Sequence, residues 1–191
     1  EKALALDINP GPLARAMENI KNEGLTQKIE PRLGSGLSPL SPGEADAILI
    51  SGMGGLLIRE ILAKGRDIMK SANQLVLSPQ SAPESVRMFL NENGFFIEKE
   101  KIIKDEGHFY IIISAVKGEK ENYTKGELIL GKRLIEEKSP VFLEYIKKRK
   151  EKLLSILKSI EHLDGINSKK RVIEIKELIK TINEVENNGN S

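Results

Sequence analysis

Short apolar runs alternate with helix-like segments between residues 3 and 117, and this alternation constrains the fold more than any other feature. Residues 47–50 have the length of a buried strand, whereas apolar residues over 13–20 recur at helical spacing. Strands that alternate with helices favour a mostly parallel, doubly wound α/β sheet, because each crossover helix covers a face of the sheet. Residues 95–103 and 109–116 leave no room for a helix between them and predict a terminal hairpin that adds an antiparallel edge strand.

Capping residues set the expected start of two helices in this region. Asn9 can cap the first helix, with Pro10 at its first position. Ser81 and Glu84 have the spacing of a capping box. We therefore expect helices to begin directly after these residues.

The last third of the chain has only helical periodicity. Ser139-Pro140 begins a long helix, Asp164-Gly165 interrupts it, and Ser168 can cap a second helix. Apolar steps of three and four predict that the two helices pack antiparallel as a short coiled coil. We therefore expect an α/β domain over residues 1–118 and a helical coiled-coil domain over residues 119–191.

Composition excludes several kinds of site. The absence of cysteine excludes disulfides and thiolate metal sites, and His108 and His162 lie too far apart in sequence to favour a histidine metal cluster. No apolar run approaches the roughly 20 residues of a membrane span, and no signal peptide is recognisable. We expect a cytoplasmic protein without a metal site or a membrane partner.

Four segments lie at the carboxyl ends of predicted parallel strands, where doubly wound sheets bind ligands: Asp7, Gly34-Ser35-Gly36, Gly52-Met53-Gly54-Gly55 and Ser78-Pro79-Gln80. The Asp7 carboxylate can accept both hydroxyls of a ribose, or it can serve the adjacent turn at residues 9–12. The glycines at 52–55 favour close approach of backbone to ligand, and the alternative is a tight, closely packed turn. No nucleophile–base pair is recognisable, which favours a reaction that depends on positioning.

Several of these segments share motifs with one known family. The motifs are A-L-D-I-N-P-G-P-L at 5–13, R-L-G-S-G-L at 32–37, P-G-E-A-D at 42–46, G-M-G-G at 52–55, L-V-L with Pro79-Gln80, N-G-F at 93–95 and G-H-F-Y at 107–110. Over nearly its whole length the sequence resembles the TrmK family of bacterial tRNA methyltransferases, which modify N1 of adenine 22.

This resemblance implies a class I, Rossmann-like methyltransferase fold with S-adenosyl-L-methionine as the cofactor and no metal. Asp7 would hold the cofactor ribose, Ile8 would flank the adenine, and the loop at Gly34 would line the adenine pocket. The implied cofactor-binding residues are Asp7, Ile8, Asn9, Gly34, Ser35, Gly36, Gly52 and Met53. The implied substrate-side residues, near the methyl group and the target base, are Ser51, Gly52, Met53, Gly54, Gly55 and Gln80, with Pro79 beside them and no catalytic residue assigned.

Two departures from the family pattern affect these roles. Family members often have an acidic residue where Ser35 stands, and that residue would reach the adenine amino group. The family's first strand, with its Asp-x-Gly-type loop, precedes the position of Asp7 and lies centrally in the sheet. We therefore expect a sheet that lacks its first strand, a gap filled by an upstream segment or another chain, and poor cofactor affinity of these 191 residues alone.

The expected reaction is methyl transfer to N1 of an unpaired adenine in tRNA. Basic residues at 147–150 and 169–171 could contact phosphates, although each cluster could also be solvated helix surface. The alternatives are a non-catalytic RNA- or protein-binding module on a methyltransferase fold and a dinucleotide-dependent oxidoreductase, although no G-x-G-x-x-G motif is present. The oligomeric state stays open, with a monomer as one alternative.

Overall fold

Strands and helices alternate along residues 2–187, the part of the chain that the computed structural model describes. The strands are β1 (Ala3–Asp7), β2 (Ile29–Leu33), β3 (Ala47–Met53), β4 (Gln74–Pro79), β5 (Phe95–Asp105) and β6 (His108–Lys117). The helices are α1 (Pro10–Asn22), α2 (Gly55–Lys64), α3 (Arg66–Ser71), α4 (Pro83–Glu92), α5 (Lys125–Leu130), α6 (Lys132–Glu137), α7 (Pro140–Ile160) and α8 (Ile166–Asn187). The predicted α/β alternation and the terminal hairpin are confirmed; residues 188–191 of the predicted helical domain lie outside the described residues.

The sheet is interrupted between β1 and β3. β1 pairs in parallel with β2 alone, from Ala3 opposite Ile29 to Asp7 opposite Leu33. The other four strands form a second sheet in the order β3-β4-β6-β5, in which β3 and β4 are parallel and β6 is antiparallel to both of its neighbours. Among residues 2–187 no strand pairs with the remaining edge of β1 or of β3, as expected for a methyltransferase sheet without its central strand.

The core of the larger sheet lies on one of its faces. Ile48 and Ile50 of β3 are buried against this face, together with the fully buried Leu75 and Leu77 of β4. Leu49, between the two buried isoleucines, is 72% exposed. Parallel strands are normally covered on both faces, so Leu49 marks a face that residues 2–187 leave open.

Of the first two predicted caps, one is confirmed in position and the other is wrong. Asn9 is the N-cap of α1 and Pro10 follows it, but the Asn9 side chain makes no capping hydrogen bond; its backbone N–H donates instead to Asp7 Oδ1 at 2.7 Å. The predicted capping box at Ser81 and Glu84 is wrong. The N-cap of α4 is Ala82 in a left-handed conformation with φ of 48°, which leaves the Ser81 side chain out of register with the helix amides.

Of the two predicted C-terminal helix starts, the first is confirmed and the second is not. Ser139 caps α7 as expected, since its Oγ accepts from the Phe142 N–H. α8 begins two residues before Ser168, because the Gly165 carbonyl already accepts the helical bond from the Lys169 N–H. A capping box forms instead at Thr124, the N-cap of α5, a helix that the sequence pattern did not predict.

One hydrophobic core connects the sheet with the C-terminal helices, and α7 packs against α8. A buried ion pair lies at the junction, where Arg87 of α4 donates from Nε to Glu100 Oε1 of β5 at 2.7 Å. Arg87 Nη1 also donates to the Leu128 carbonyl of α5 at 2.7 Å, and Glu100 Oε2 accepts the Arg133 N–H of α6 at 3.2 Å. The domain boundary at residue 118 and the coiled-coil geometry stay predictions.

Candidate functional site

Asp7 lies at the carboxyl end of β1, directly beside the loop that follows β2. The Gly34 N–H donates to the Asp7 carbonyl at 2.9 Å, so the predicted ribose carboxylate and the predicted adenine loop are neighbours. Asp7 Oδ1 accepts the Asn9 N–H, which confirms the turn role that the sequence left open. Asp7 Oδ2 has no hydrogen-bond partner within residues 2–187, so it can still accept a ribose hydroxyl.

The glycines of the loop at 34–36 are required by packing inside the protein. A Cβ on Gly34 would lie 2.3 Å from the Pro39 side chain. Gly36 has φ of 58°, and a Cβ there would lie 3.0 Å from the Ile61 side chain of α2. Ser35, between them, is exposed. Gly34 therefore lets the loop pack on Pro39 and Gly36 lets it pack on α2, while Ser35 offers the exposed side chain.

An ion-pair cluster that the sequence pattern did not reveal holds the same loop. Arg32 of β2 reaches Glu44 at 2.6 Å and Glu30 at 2.8 Å, and its Nη1 donates to the Pro39 carbonyl at 3.1 Å. The hydrogen bond from Arg32 holds the pKa of the Glu44 carboxyl below its ordinary range. Arg32 and Glu44 lie twelve residues apart at no periodic spacing, so no local signal could have paired them.

The segment at 51–55 is partly strand, which corrects its placement as a loop. Gly52 and Met53 belong to β3, and the register shift between Ser51 and Met53 forms a bulge against β4. Gly52 occupies the bulge with φ of 77°, and a Cβ there would meet no atom within 4 Å. Bulges of this kind re-aim the backbone near functional sites. The backbone at Gly52 is therefore open to a ligand.

Gly55, by contrast, confirms the alternative of close packing. A Cβ on this residue would lie 2.5 Å from the Ala82 carbonyl oxygen, so only glycine allows the turn after β3 to approach the turn after β4. The Gly55 N–H donates to the Ser81 carbonyl at 2.8 Å. Ala82 is one of the few residues other than glycine with positive φ in the described chain, and such outliers cluster at functional sites.

Backbone hydrogen bonds bring the predicted substrate-side residues together. The Gln80 N–H donates to the Met53 carbonyl at 2.9 Å, and Ser51 lies opposite Ser78 in the strand register. Pro79 is buried at the end of β4, whereas the Gln80 side chain is exposed and the Met53 side chain is 39% exposed. Ser51, Gly52, Met53 and Gln80 therefore form one accessible rim.

The remaining candidate residues lie away from this rim. His108 begins β6 at the hairpin, and His162 lies beyond the end of α7 with its side chain 79% exposed. Within residues 2–187 no group of three or more His, Cys, Asp or Glu side chains is arranged to hold a metal ion. No helix in the described part of the chain is long and apolar enough to cross a membrane.

Comparison with known proteins gives one consistent family. The sequence matches the family model described as TrmK, tRNA (adenine(22)-N(1))-methyltransferase, over residues 1–186. A tRNA (adenine(22)-N(1))-methyltransferase from Bacillus subtilis is 30% identical over 193 residues, which cover 98% of this chain and 81% of the relative.

Two solved structures of similar proteins support the same fold. A Streptococcus agalactiae protein described as a member of the NADB-Rossmann superfamily is 34% identical, with a TM-score of 0.87 over 96% of this chain and 79% of that one. A Streptococcus pneumoniae structure in complex with S-adenosyl-L-methionine is 30% identical, with a TM-score of 0.86 over 96% and 80% of the two chains. The fold is thus Rossmann-like, and the chain belongs to the TrmK family of tRNA (adenine(22)-N(1))-methyltransferases.

Proposed function

We propose that this protein transfers a methyl group from S-adenosyl-L-methionine to N1 of adenine 22 in tRNA. The observation that carries the proposal is the placement of the family motifs at the carboxyl ends of two parallel strand pairs, β1–β2 and β3–β4. Asp7 and Ser35 follow the first pair, and Ser51 to Gly55 with Gln80 end the second. The loop after β2 also packs on α2, the helix that follows β3, through Gly36 and Ile61. A cytoplasmic location is supported by the tRNA substrate of the family.

The residues present fit the cofactor at two points. Asp7 has a carboxylate oxygen without a partner in the described residues, which suits a ribose hydroxyl. The bulge at Gly52 exposes backbone with no side chain in front of it. S-adenosyl-L-methionine supplies an electrophilic methyl group at its sulfonium when bound.

The chain contributes positioning rather than acid–base chemistry. Adenine N1 carries a lone pair in the neutral base, so attack on the methyl group requires no general base. Its Watson–Crick edge must be unpaired, so a flipped or splayed adenine is expected. The Gln80 amide and the Ser51 hydroxyl can donate to and accept from the base edge, and the exposed Met53 side chain supplies an apolar wall. Alignment of this kind can supply much of the rate enhancement.

Two experiments together test this function. Calorimetric titration with S-adenosylhomocysteine and, separately, with NAD distinguishes the methyltransferase from the oxidoreductase. Because residues 2–187 place no strand between β1 and β3 in the sheet, we expect weak but measurable binding of S-adenosylhomocysteine and no binding of NAD. Incubation of the protein with tRNA and labelled S-adenosyl-L-methionine, followed by nucleoside analysis, distinguishes the enzyme from a non-catalytic binding module. Binding of tRNA without 1-methyladenosine would favour the module.

A further inference from the structure

The β5–β6 hairpin extends past the edge of the sheet that carries the site. The last residue pair between β4 and the antiparallel β6 is Leu77 opposite Ile113. β4 ends two residues later at Pro79, whereas β6 begins five residues before Ile113, at His108. At about 3.4 Å per residue, the start of β6 lies roughly 10 Å beyond the end of β4. The base of this projection therefore stands beside the rim that holds Gln80.

One face of this projection packs against α7 and forms a basic–aromatic patch, defined as Lys104, Phe109, Tyr145, Lys148 and Arg149. The rings of Phe109 and Tyr145 meet edge to face with centroids 5.5 Å apart. Lys148 Nζ lies 5.5 Å and Lys104 Nζ 6.0 Å from the Phe109 centroid. The Arg149 guanidinium lies 5.8 Å from the Tyr145 centroid and donates to the Tyr145 hydroxyl. Three cations thus converge on two partly exposed rings.

The cations of the patch exceed its carboxylates. Glu144 is paired with both Lys104 at 2.8 Å and Lys148 at 3.2 Å, and these two lysines hold the pKa of Glu144 below its ordinary range. Asp105 follows Lys104 in the strand and so points to the opposite face of the hairpin, and Glu106 lies at the turn. Lys104 and Lys148 remain 34% and 51% exposed. The patch therefore keeps positive charge at a surface open to a ligand.

We propose that the basic–aromatic patch binds the RNA strand next to the target adenine, a proposal that rests on the tRNA methyltransferase function above. A splayed adenine at the rim leaves its flanking phosphates outside the site, on the side to which the hairpin projects. Lys104 and Lys148 bind these phosphates, because ammonium groups form charge-assisted hydrogen bonds with phosphate oxygens. The partly exposed Phe109 ring offers an apolar contact for an unpaired base beside these phosphates.

The test compares tRNA binding by the full chain with that of variants that alter this charge in both directions. Lys104→Gln/Lys148→Gln should weaken tRNA binding and raise the KM for tRNA on the order of tenfold, with kcat at saturating tRNA nearly unchanged. It should also lower the slope of log Kd against log salt by about 1.4, because each phosphate contact to a single strand contributes about 0.7. Glu144→Gln removes the competing carboxylate and should tighten tRNA binding.

The matched control is Lys21→Gln/Lys70→Gln, which removes the same charge near the amino ends of the strands, at the opposite edge of the sheet. It should leave both the KM for tRNA and the salt slope close to those of the unmodified protein. A merely structural role of the lysines would lower the thermal midpoint and leave the salt slope unchanged. If the unmodified protein methylates tRNA but Lys104→Gln/Lys148→Gln leaves the KM for tRNA and the salt slope unaltered, the proposed role of the patch is wrong and the proposed function stands. Failure of the unmodified protein to bind tRNA would overturn the proposed function as well.

Discussion

The buried pair of Arg87 and Glu100 gives the sharpest test of how the sheet and the C-terminal helices are joined. Arg87 is 0% and Glu100 is 1% exposed. Arg87→Leu removes the ion pair at 2.7 Å and the donor to the Leu128 carbonyl. Within residues 2–187, Glu100 then keeps a buried charge with the Arg133 N–H, at 3.2 Å, as its remaining hydrogen-bond donor. The backbone of Gly131 packs directly on the pair, since a Cβ there would lie 2.8 Å from both charged groups.

The expected loss follows from that uncompensated charge. Removal of one partner of a buried ion pair costs about 3–5 kcal/mol of unfolding free energy. For a chain of this size each kcal/mol lowers the thermal midpoint by about 2–4 °C, so Arg87→Leu should melt roughly 6–20 °C lower. Arg87→Leu/Glu100→Leu carries no orphan charge and should recover part of this loss, because apolar replacement of both partners is often nearly neutral.

Urea unfolding followed by circular dichroism measures both variants against the unmodified protein. The control is Lys64→Gln, which breaks the exposed ion pair with Glu60 and should leave the urea midpoint unchanged. If the free energy of unfolding of Arg87→Leu lies within about 1 kcal/mol of that of the unmodified protein, the pair does not stabilise the junction as described. A double variant less stable than the single one would also contradict the reasoning.

Three further predictions concern the site and the response to acid. Asp7→Asn keeps an oxygen for the turn but loses the charged ribose acceptor, so calorimetry should show S-adenosylhomocysteine binding weakened by about 10- to 100-fold, with Glu18→Gln on the exposed face of α1 unchanged. Gly55→Ala, with a carbonyl oxygen 2.5 Å from the new Cβ, should lower the thermal midpoint by several degrees, whereas Gly11→Ala, with open space at its Cβ, should not. Burial raises the pKa of Glu121, but Lys132 at 2.6 Å, Tyr123 and Arg133 together outweigh burial and hold the pKa below its ordinary 4.5. The stabilising contribution of Glu121 is therefore present above that value and lost as pH falls through the lowered pKa. Urea midpoints between about pH 3 and 7 should therefore fall less steeply in Glu121→Gln, and parallel curves would contradict this assignment.

Local periodicity was sufficient to predict the strand–helix order and to place the candidate residues at the ends of strands. Asp7, Gly52 and Gln80 all lie at strand ends, because strand periodicity and the glycines that end it are both encoded within a few residues. The predicted hairpin held for the same reason, since its two strands are adjacent in sequence. The division of the sheet followed from the resemblance rather than from any local pattern.

Features that depend on distant partners were not predictable from one sequence. Gly55 is required by the Ala82 carbonyl, 27 residues away, and no property of the G-M-G-G segment distinguishes that reason from ligand contact. The Ser81 cap failed because this turn is held by the one after β3, which places Ala82 at the helix start. The local sequence around Arg87 is typical of an exposed helix position, because its burial depends on contacts with β5 and α5 that are distant in sequence.

The most direct test of the central claim is the mapping of methyl groups in tRNA after reaction with the protein. Two tRNA transcripts that differ only at position 22, one with adenine and one with guanine, are incubated with the full chain and labelled S-adenosyl-L-methionine. Mass spectrometry of nuclease fragments then locates each methyl group. The predicted result is 1-methyladenosine at position 22 of the first transcript and no label in the second. Methylation at another atom or nucleotide, equal labelling of both transcripts, or no labelling of either by a protein that binds S-adenosylhomocysteine and tRNA would contradict it.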